Sequence, residues 1–419
     1  MIPRYLESVA IERMTWSPVV VITGARTSGK STVLASIARQ HGVKVIDLDQ
    51  IPIRELISQD VPGFLGSADR PVCIDEFQHN LEILDAIKAD LNRGTSPGGY
   101  VLTGSTRYST LPRTSQSLTG RAHIMTLWPF SQGELRGYRE TFLDRIINEP
   151  DALAKPSQTQ LTRSEYEEII LAGGFPLALD VPAGTPREAW FADFINLVVR
   201  RDILELRQIR QRRLLGEVLR HVAAQTAQVF DANRIATATG ISAQFAGDFV
   251  SLLESVFITH RLDAYGRTLG AKVRRRPKVH LVDTGLGAHL LGVTLGKLRS
   301  IQPGALTEFG HLTETFAVNE LMKQAGWAQT NVTFAHFRSG DKHEVDLVIE
   351  ANDGRVAAVE IKAGSKVTNA DFAGMRMLRD KLGTDFVSGV LLNLGQLAYR
   401  YDDRLFVQPL ERLWTPIDS

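Results

Sequence analysis

The chain has 419 residues, enough for about three domains at roughly 150 residues each. Its 48 basic and 47 acidic side chains leave a formal charge of +1, so bulk charge selects neither nucleic acid nor a membrane surface as a partner. The single cysteine, Cys73, excludes an internal disulfide framework and a cysteine-based zinc cluster, and the ten histidines show no metal-ligand spacing beside it. The opening MIPRYLESVAIERM lacks a basic segment followed by an apolar stretch, and no apolar run approaches the ~18 residues of a membrane span. A soluble, cytoplasmic protein without a membrane partner is expected.

In chain order, Val19 to Thr23 is a β-branched run of the kind that forms a buried parallel strand. Leu34, Ile37 and Ala38 then recur at helical spacing within 31–40. Between strand and helix lie Gly24, Ala25, Arg26, Thr27, Ser28, Gly29, Lys30, Ser31 and Thr32, with the spacing of a phosphate-binding P-loop. Glycines there admit close backbone approach, and the helix N-terminus presents amides to phosphate. Lys30 is expected to reach the β- and γ-phosphates of ATP, and Ser31 to ligate Mg²⁺.

A metal-positioning carboxylate belongs on a neighbouring strand. The apolar run Pro71-Val-Cys-Ile ends in Asp75 and Glu76. Asp75 is the expected Mg²⁺ partner, and Glu76 is suited to polarise the attacking water. Cys73 is expected to pack in the core of that strand. GYVLTGSTR at 99–107 reads as another strand ending in hydroxyl residues; Ser105, with Thr103 as the alternative, is placed to sense the γ-phosphate or the water. Arg107 and Arg121 are candidate arginine fingers, each with a surface salt bridge as the competing role.

The P-loop, IDEFQ at 74–78, VLTGS at 101–105, LWPFSQGEL at 127–135 and LAGGFP at 171–176 together resemble a prokaryotic AAA+ ATPase family with a C-terminal DUF4143 domain. The resemblance covers nearly the whole chain. It implies ATP, Mg²⁺ and a homo-oligomeric ring or other assembly, a hexamer included.

Residues 148–163, NEPDALAKPSQTQLTR, are polar with two prolines and read as a linker or exposed loop. A helix resumes near Tyr166, with Ser164 and Glu167 as a capping box, and ends at Gly173-Gly174-Phe175-Pro176. Residues 189–213 read as helical; their last part, RRDILELRQIRQRR, has a local net charge of +4 and is either a phosphate-facing surface or a solvated helix face. Residues 214–262 read as three short helices in a helix-turn-helix pattern. A basic hairpin follows, in which Arg261, Arg267, Lys272, Arg274, Arg275, Arg276 and Lys278 face Asp263 alone. Such a wing suits a DNA backbone. The third helix, SAQFAGDFVSLLESVF, has no basic residue, so packing between domains or subunits is the competing role.

From about residue 305 the pattern becomes helix, strand, strand, helix, strand. A helix is expected over 308–325, with strands over 345–350 and 356–362 joined by the turn Asn352-Asp353-Gly354. Asp346, Glu360 and Lys362 would converge on that hairpin, where two carboxylates and a lysine can hold Mg²⁺ beside a phosphodiester. These residues resemble the PD-(D/E)xK nuclease core, with Glu314 on the preceding helix as a further ligand and Glu320 as its competitor. Valine, not proline, precedes Asp346.

The expected fold class is α/β: a P-loop AAA+ parallel-sheet core (1–147), a linker and helical lid (148–210), a winged-helix module (211–290) and a restriction-endonuclease-like domain (291–419). The expected function is ATP hydrolysis coupled to DNA binding or remodelling. The alternatives are an ATP-regulated nuclease, or a switch or protein remodeller whose nuclease-like domain is inert.

Overall fold

A computed structural model describes residues 2–94, 96–108, 118–198, 203, 214–266, 276–339 and 343–416. The chain divides into two compact units: Met1–Phe130 with Leu252–Ile258, and Ser131–Ser251 with Thr259–Ser419.

The first unit is built on a parallel sheet. Its elements are α1 (Tyr5–Met14), β1 (Val19–Thr23), α2 (Lys30–Gln40), β2 (Val45–Asp47), α3 (Ile51–Gln59), α4 (Val61–Ser67), β3 (Val72–Asp75), α5 (Glu82–Leu91), β4 (Tyr100–Gly104) and β5 (Ala122–Thr126). The strand order is β2-β3-β4-β1-β5, and every pairing is parallel. Strands 1, 3 and 4 are buried along their whole length, which is why they read as unbroken apolar runs. Val19 and Val21 pack with Ile57, Leu65, Ile83, Leu84 and Ile87 of α3, α4 and α5. Alternation then turns Val20 and Ile22 to the opposite face. Cys73 is buried within β3, and burial pushes its thiol up to about 12.

The second unit opens with α6 (Gln132–Arg136) and α7 (Phe142–Asn148). The stretch expected as a linker is instead structured. A 3-10 turn spans Pro150–Ala154, and β6 (Ser157–Gln158) pairs with a C-terminal strand. In α8 (Arg163–Ala172) the capping box is Thr162 with Glu165, not Ser164 with Glu167. Both pairs have the sequence pattern; Thr162 holds the extended backbone of a cap, and Glu167 pairs with Arg163 at 2.9 Å.

There follow α9 (Pro176–Asp180), α10 (Thr185–Leu197), α11 (Leu215–Ala223), β7 (Gln228–Val229), α12 (Ala232–Thr239), α13 (Ala243–Ser255), β8 (Thr259–Leu262) and β9 (Lys278–Leu281). The last three strands form an antiparallel sheet with β9 in the centre. Of the charged stretch expected to be helical, residues 199–202 and 204–213 lie outside the described residues.

The remainder comprises α14 (Thr284–Leu291), α15 (Leu295–Arg299), α16 (Pro303–Gln324), β10 (Val332–Ser339), β11 (His343–Ala351), β12 (Val356–Lys362), α17 (Ala373–Leu382), β13 (Phe386–Asn393), β14 (Leu397–Asp402) and β15 (Leu405–Pro409). A seven-stranded mixed sheet runs β10-β11-β12-β13-β15-β14-β6. Phe309, Leu312, Phe316 and Leu321 of α16 join Leu347, Ile349, Val359 and Ile361 in one core. Met375, Leu378 and Leu382 of α17 join Val348, Ala358 and Leu391 in another. The period-2 alternation of β11 and β12 thus feeds two cores. Among the described residues, no helix is long and apolar enough to cross a membrane.

Candidate functional site

β1 ends at Thr23, and the loop from Gly24 to Gly29 turns the chain into α2. A Cβ on Gly24 would collide with the Leu127 carbonyl oxygen. Gly29 caps α2 at φ +99°, where side chains are strained. Thr27 is also left-handed, at φ +62°. Lys30 is buried, and its ammonium donates to the Ala25 carbonyl at 2.9 Å. The loop is braced from outside by a residue the sequence did not flag. The buried Arg4 guanidinium donates to the Ser28 and Trp128 carbonyls, each at 2.6 Å, and stacks 4.6 Å from the Phe130 ring centre.

Parallel pairing brings the ends of β1, β3 and β4 to one edge of the sheet, with β4 between the other two. Asp75, the last residue of β3, accepts hydrogen bonds from the Ser31 and Thr103 hydroxyls. Burial raises the Asp75 pKa, and those two hydrogen bonds oppose the rise. Glu76 follows in the left-handed region at φ +51°. Its carboxylate accepts from the Gln78 amide and, at 3.2 Å, from the Ser105 backbone N–H. Burial alone would raise its pKa; Lys30, Gln78, Arg26 and Ser105 together hold it below the ordinary value. Glu76 is therefore an ionised, oriented acceptor at neutral pH, as a general base requires. Gln78 also donates to Ser105 Oγ at 3.1 Å.

The two hydroxyl candidates are thus sorted by partner: Thr103 bonds Asp75, and Ser105 joins Glu76 through Gln78. Gln78 lay within IDEFQ and received no role; its signal was a carboxamide two residues past a carboxylate at a strand end.

The arginines fall elsewhere. Arg121 stands just before β5, whose first residue pairs with Val19, so it lies at the end of the sheet opposite the P-loop. Its guanidinium donates to Asn92 at 2.6 Å. It does not join the loop's constellation within this chain, because a parallel strand carries its two ends to opposite edges. Arg107 is engaged internally, donating to the Glu254 carbonyl at 2.6 Å and lying 4.8 Å from the Phe257 ring centre.

The Ser31 hydroxyl and the Asp75 carboxylate form a hard-oxygen pair, the donor type Mg²⁺ takes. That ion draws the rest of its shell from water and phosphate, so the pair fits.

The second unit gathers a different cluster. Asp346 accepts from the Ile361 backbone N–H at 3.0 Å through one oxygen and from Lys278 at 3.1 Å through the other. Lys278 also reaches Glu314 at 2.8 Å and Glu344 at 2.7 Å. Glu360 and Lys362, two residues apart on β12, pair at 2.8 Å. Asp346, Glu360, Lys362 and Glu314 are therefore brought together. Glu320 is not among them; it accepts from the Gln132 backbone N–H at 2.8 Å and pairs with Lys323 at 2.7 Å. Burial, reinforced by Asp346, raises the pKa of both Glu314 and Glu360.

Lys278 itself corrects an expectation. It was assigned to an exposed basic wing, yet its side chain is only 2% exposed. Every residue of β9 is buried, so the polar face of the strand turns inward, Lys278 to carboxylates and His280 to the Thr315 hydroxyl and the His260 ring. Of the other basic residues, Arg276 pairs with Asp231 at 3.2 Å with its side chain 65% exposed. Arg267, Lys272, Arg274 and Arg275 lie outside the described residues.

Comparison with known proteins agrees with the loop chemistry. Residues 17–136 match the model of an AAA domain. Residues 163–296 and 309–413 match two domains of unknown function, DUF8612 and DUF4143. Uncharacterized proteins of Mycobacterium tuberculosis and Mycobacterium bovis are 22% identical over 349 residues, 83% of this chain and 71% of each relative. Among solved structures, a Walker-type ATPase of Pyrococcus abyssi aligns with a TM-score of 0.40 at 16% identity, covering 69% of this chain and 96% of that one. AMPPCP-bound DnaA from Aquifex aeolicus aligns with a TM-score of 0.28 at 13% identity, covering 59% and 85%.

A P-loop between strand and helix, within a matched AAA domain, defines a nucleotide-binding ATP hydrolase. The chain carries an AAA domain at 17–136 and a C-terminal DUF4143 domain at 309–413.

Proposed function

We propose that the protein is a Mg²⁺-dependent ATPase that couples hydrolysis to DNA binding or remodelling as a homo-oligomer. The observation that carries the catalytic part is the convergence of Lys30, Ser31, Asp75, Thr103, Glu76, Gln78 and Ser105 at one edge of the sheet. Bound Mg²⁺ supplies charge neutralisation to the phosphates. Amides of the loop and the α2 N-terminus bind the phosphate chain, and Lys30 leaves the Ala25 carbonyl to meet it. Thr103 fixes the rotamer of Asp75. Gln78 and the Ser105 amide fix that of Glu76, which takes a proton from the attacking water.

The DNA part has separate support. We read the order α11-β7-α12-α13-β8-β9, with β9 central in a three-stranded antiparallel sheet, as a winged helix, which supports contact with DNA. The β8–β9 connection carries the run of arginines and lysines, and a basic wing engages phosphates without reading bases. The absence of basic residues from α13 favours backbone contact over sequence reading. The clustering of Asp346, Glu360 and Lys362 on β11 and β12 is a second feature that supports this reading.

The test is ATP hydrolysis by the full chain with single-stranded, duplex and branched DNA at several salt concentrations, with particle mass measured with and without ATP. Stimulation that falls steeply with salt supports the proposal. Turnover unaltered by every DNA form refutes the DNA part and leaves a nucleotide switch acting on protein partners.

A further inference from the structure

The PD-(D/E)xK plan implies a divalent cation between its carboxylates, and the residues present do not fit one. An ion there would need Asp346 with Glu314 or Glu360, at about 2.0–2.6 Å for Mg²⁺ or Ca²⁺. Both Asp346 oxygens are already taken, one by the Ile361 amide and the other by the Lys278 ammonium. That ammonium lies within 3.1 Å of Glu314, Glu344 and Asp346 together. Glu360 gives one oxygen to Lys362, while its other, Oε2, is buried without a hydrogen-bond partner. The cluster thus has the acidic shell of a cation site with a side-chain cation inside it.

We infer that Lys278 stands in place of the divalent cation of the nuclease plan, so that this cluster is an internal ion-paired anchor tying β9 to α16 and β11 and does not hydrolyse phosphodiesters.

The chemistry is consistent throughout. Lys278 is among the largest fully buried side chains described, and a buried ammonium persists only when charge and hydrogen bonds compensate it. Burial lowers its pKa, but Asp346, Glu314 and Glu344 raise it further, so it stays charged at neutral pH. All three of its donor hydrogens are matched by one of three carboxylates, leaving none for substrate. A hydroxide nucleophile has no metal to form on, and Lys362 is committed to Glu360. The inference is independent of the ATPase reading, because no residue of the P-loop unit takes part.

The experiment measures Mn²⁺ binding to the nucleotide-free full chain by calorimetry and by the electron paramagnetic resonance of free Mn²⁺. Asp346→Asn identifies the component due to this cluster. Wild type is expected to show no Asp346-dependent binding and no Asp346-dependent cleavage of a DNA panel. Lys278→Met should bind Mn²⁺ at least tenfold more tightly than wild type, and adding Asp346→Asn should abolish the gain. Lys278→Ala with Glu344→Gln, which removes a charge along with the ammonium, is the second variant; ATP turnover and the unfolding midpoint report folding. Asp346-dependent Mn²⁺ binding or cleavage by wild type overturns the inference, as do folded Lys278 variants that take up no Mn²⁺. Should neither variant fold, the wild-type comparison with Asp346→Asn decides: binding overturns the inference, and its absence supports it.

Discussion

Replacing Arg4 by methionine tests whether the P-loop is held in its binding shape from outside. The substitution keeps an apolar stem near Phe130 and deletes two short, charge-assisted hydrogen bonds, to the carbonyls of Ser28 and Trp128. Hydrogen bonds to charged groups contribute about 1.5–3 kcal/mol each, so the loop conformer should lose at least ~3 kcal/mol of support. Part of that loss is recovered where the freed carbonyls meet water. If ATP selects the braced conformer, the loss appears as a smaller binding-competent population and a 10- to 100-fold weaker nucleotide affinity. Bound nucleotide re-orders the loop, so KM should rise while kcat at saturation stays within a few-fold of wild type. The assay is equilibrium titration with a fluorescent ATP analogue beside steady-state turnover; Arg4→Lys should restore part of the affinity. An unchanged dissociation constant, or a collapse of kcat with affinity intact, would refute the brace.

Two further outcomes concern one carboxylate in each unit. Glu76→Gln should leave nucleotide binding near wild type and slow hydrolysis by roughly 10²- to 10⁴-fold, measured in single turnover, because only the base is lost; equal losses in binding and turnover would argue against that role. Glu140 is pushed up to about 7, chiefly by burial and then by Glu320. The folded protein holds that proton more tightly than the unfolded chain. Its stabilising contribution is therefore full below the unfolded pKa near 4.5 and is lost as pH rises toward about 7, a span of about 3 kcal/mol. Glu140→Gln keeps an acceptor for the Gly133 amide and should raise the thermal midpoint at pH 8 but much less at pH 5; parallel pH curves for the two proteins would dismiss the effect.

Much of the nucleotide site was legible because its chemistry is contiguous. Nine consecutive residues, 24–32, carry the loop, and two adjacent carboxylates end an apolar run. Arg4 was invisible for the opposite reason: it meets Ser28 only through the fold, and a lone arginine ahead of a helix resembles any solvated one. Gln78 needed the left-handed turn at Glu76 to be seen, since that turn brings residue 78 back beside residue 76. Lys278 was misread because β9 alternates polar with apolar, the pattern of a strand with one wet face, whereas here the polar face is buried against charge. Periodicity reports which residues share a face and is silent on what covers it. The capping box of α8 was misplaced by two residues because two overlapping pairs satisfy the same pattern.

The short strand β6 alters how this protein can be divided in the laboratory. It closes the edge of a sheet whose other six strands come from beyond residue 330, and Phe142, Ile146 and Tyr166 share a core with Trp414. A fragment trimmed to start at residue 291 would strip the covering strand from β14 and bare an apolar face. Unpaired edges of that kind invite self-association. Expression of the C-terminal segment alone should yield aggregates, whereas a cut near residue 131 preserves the pairing.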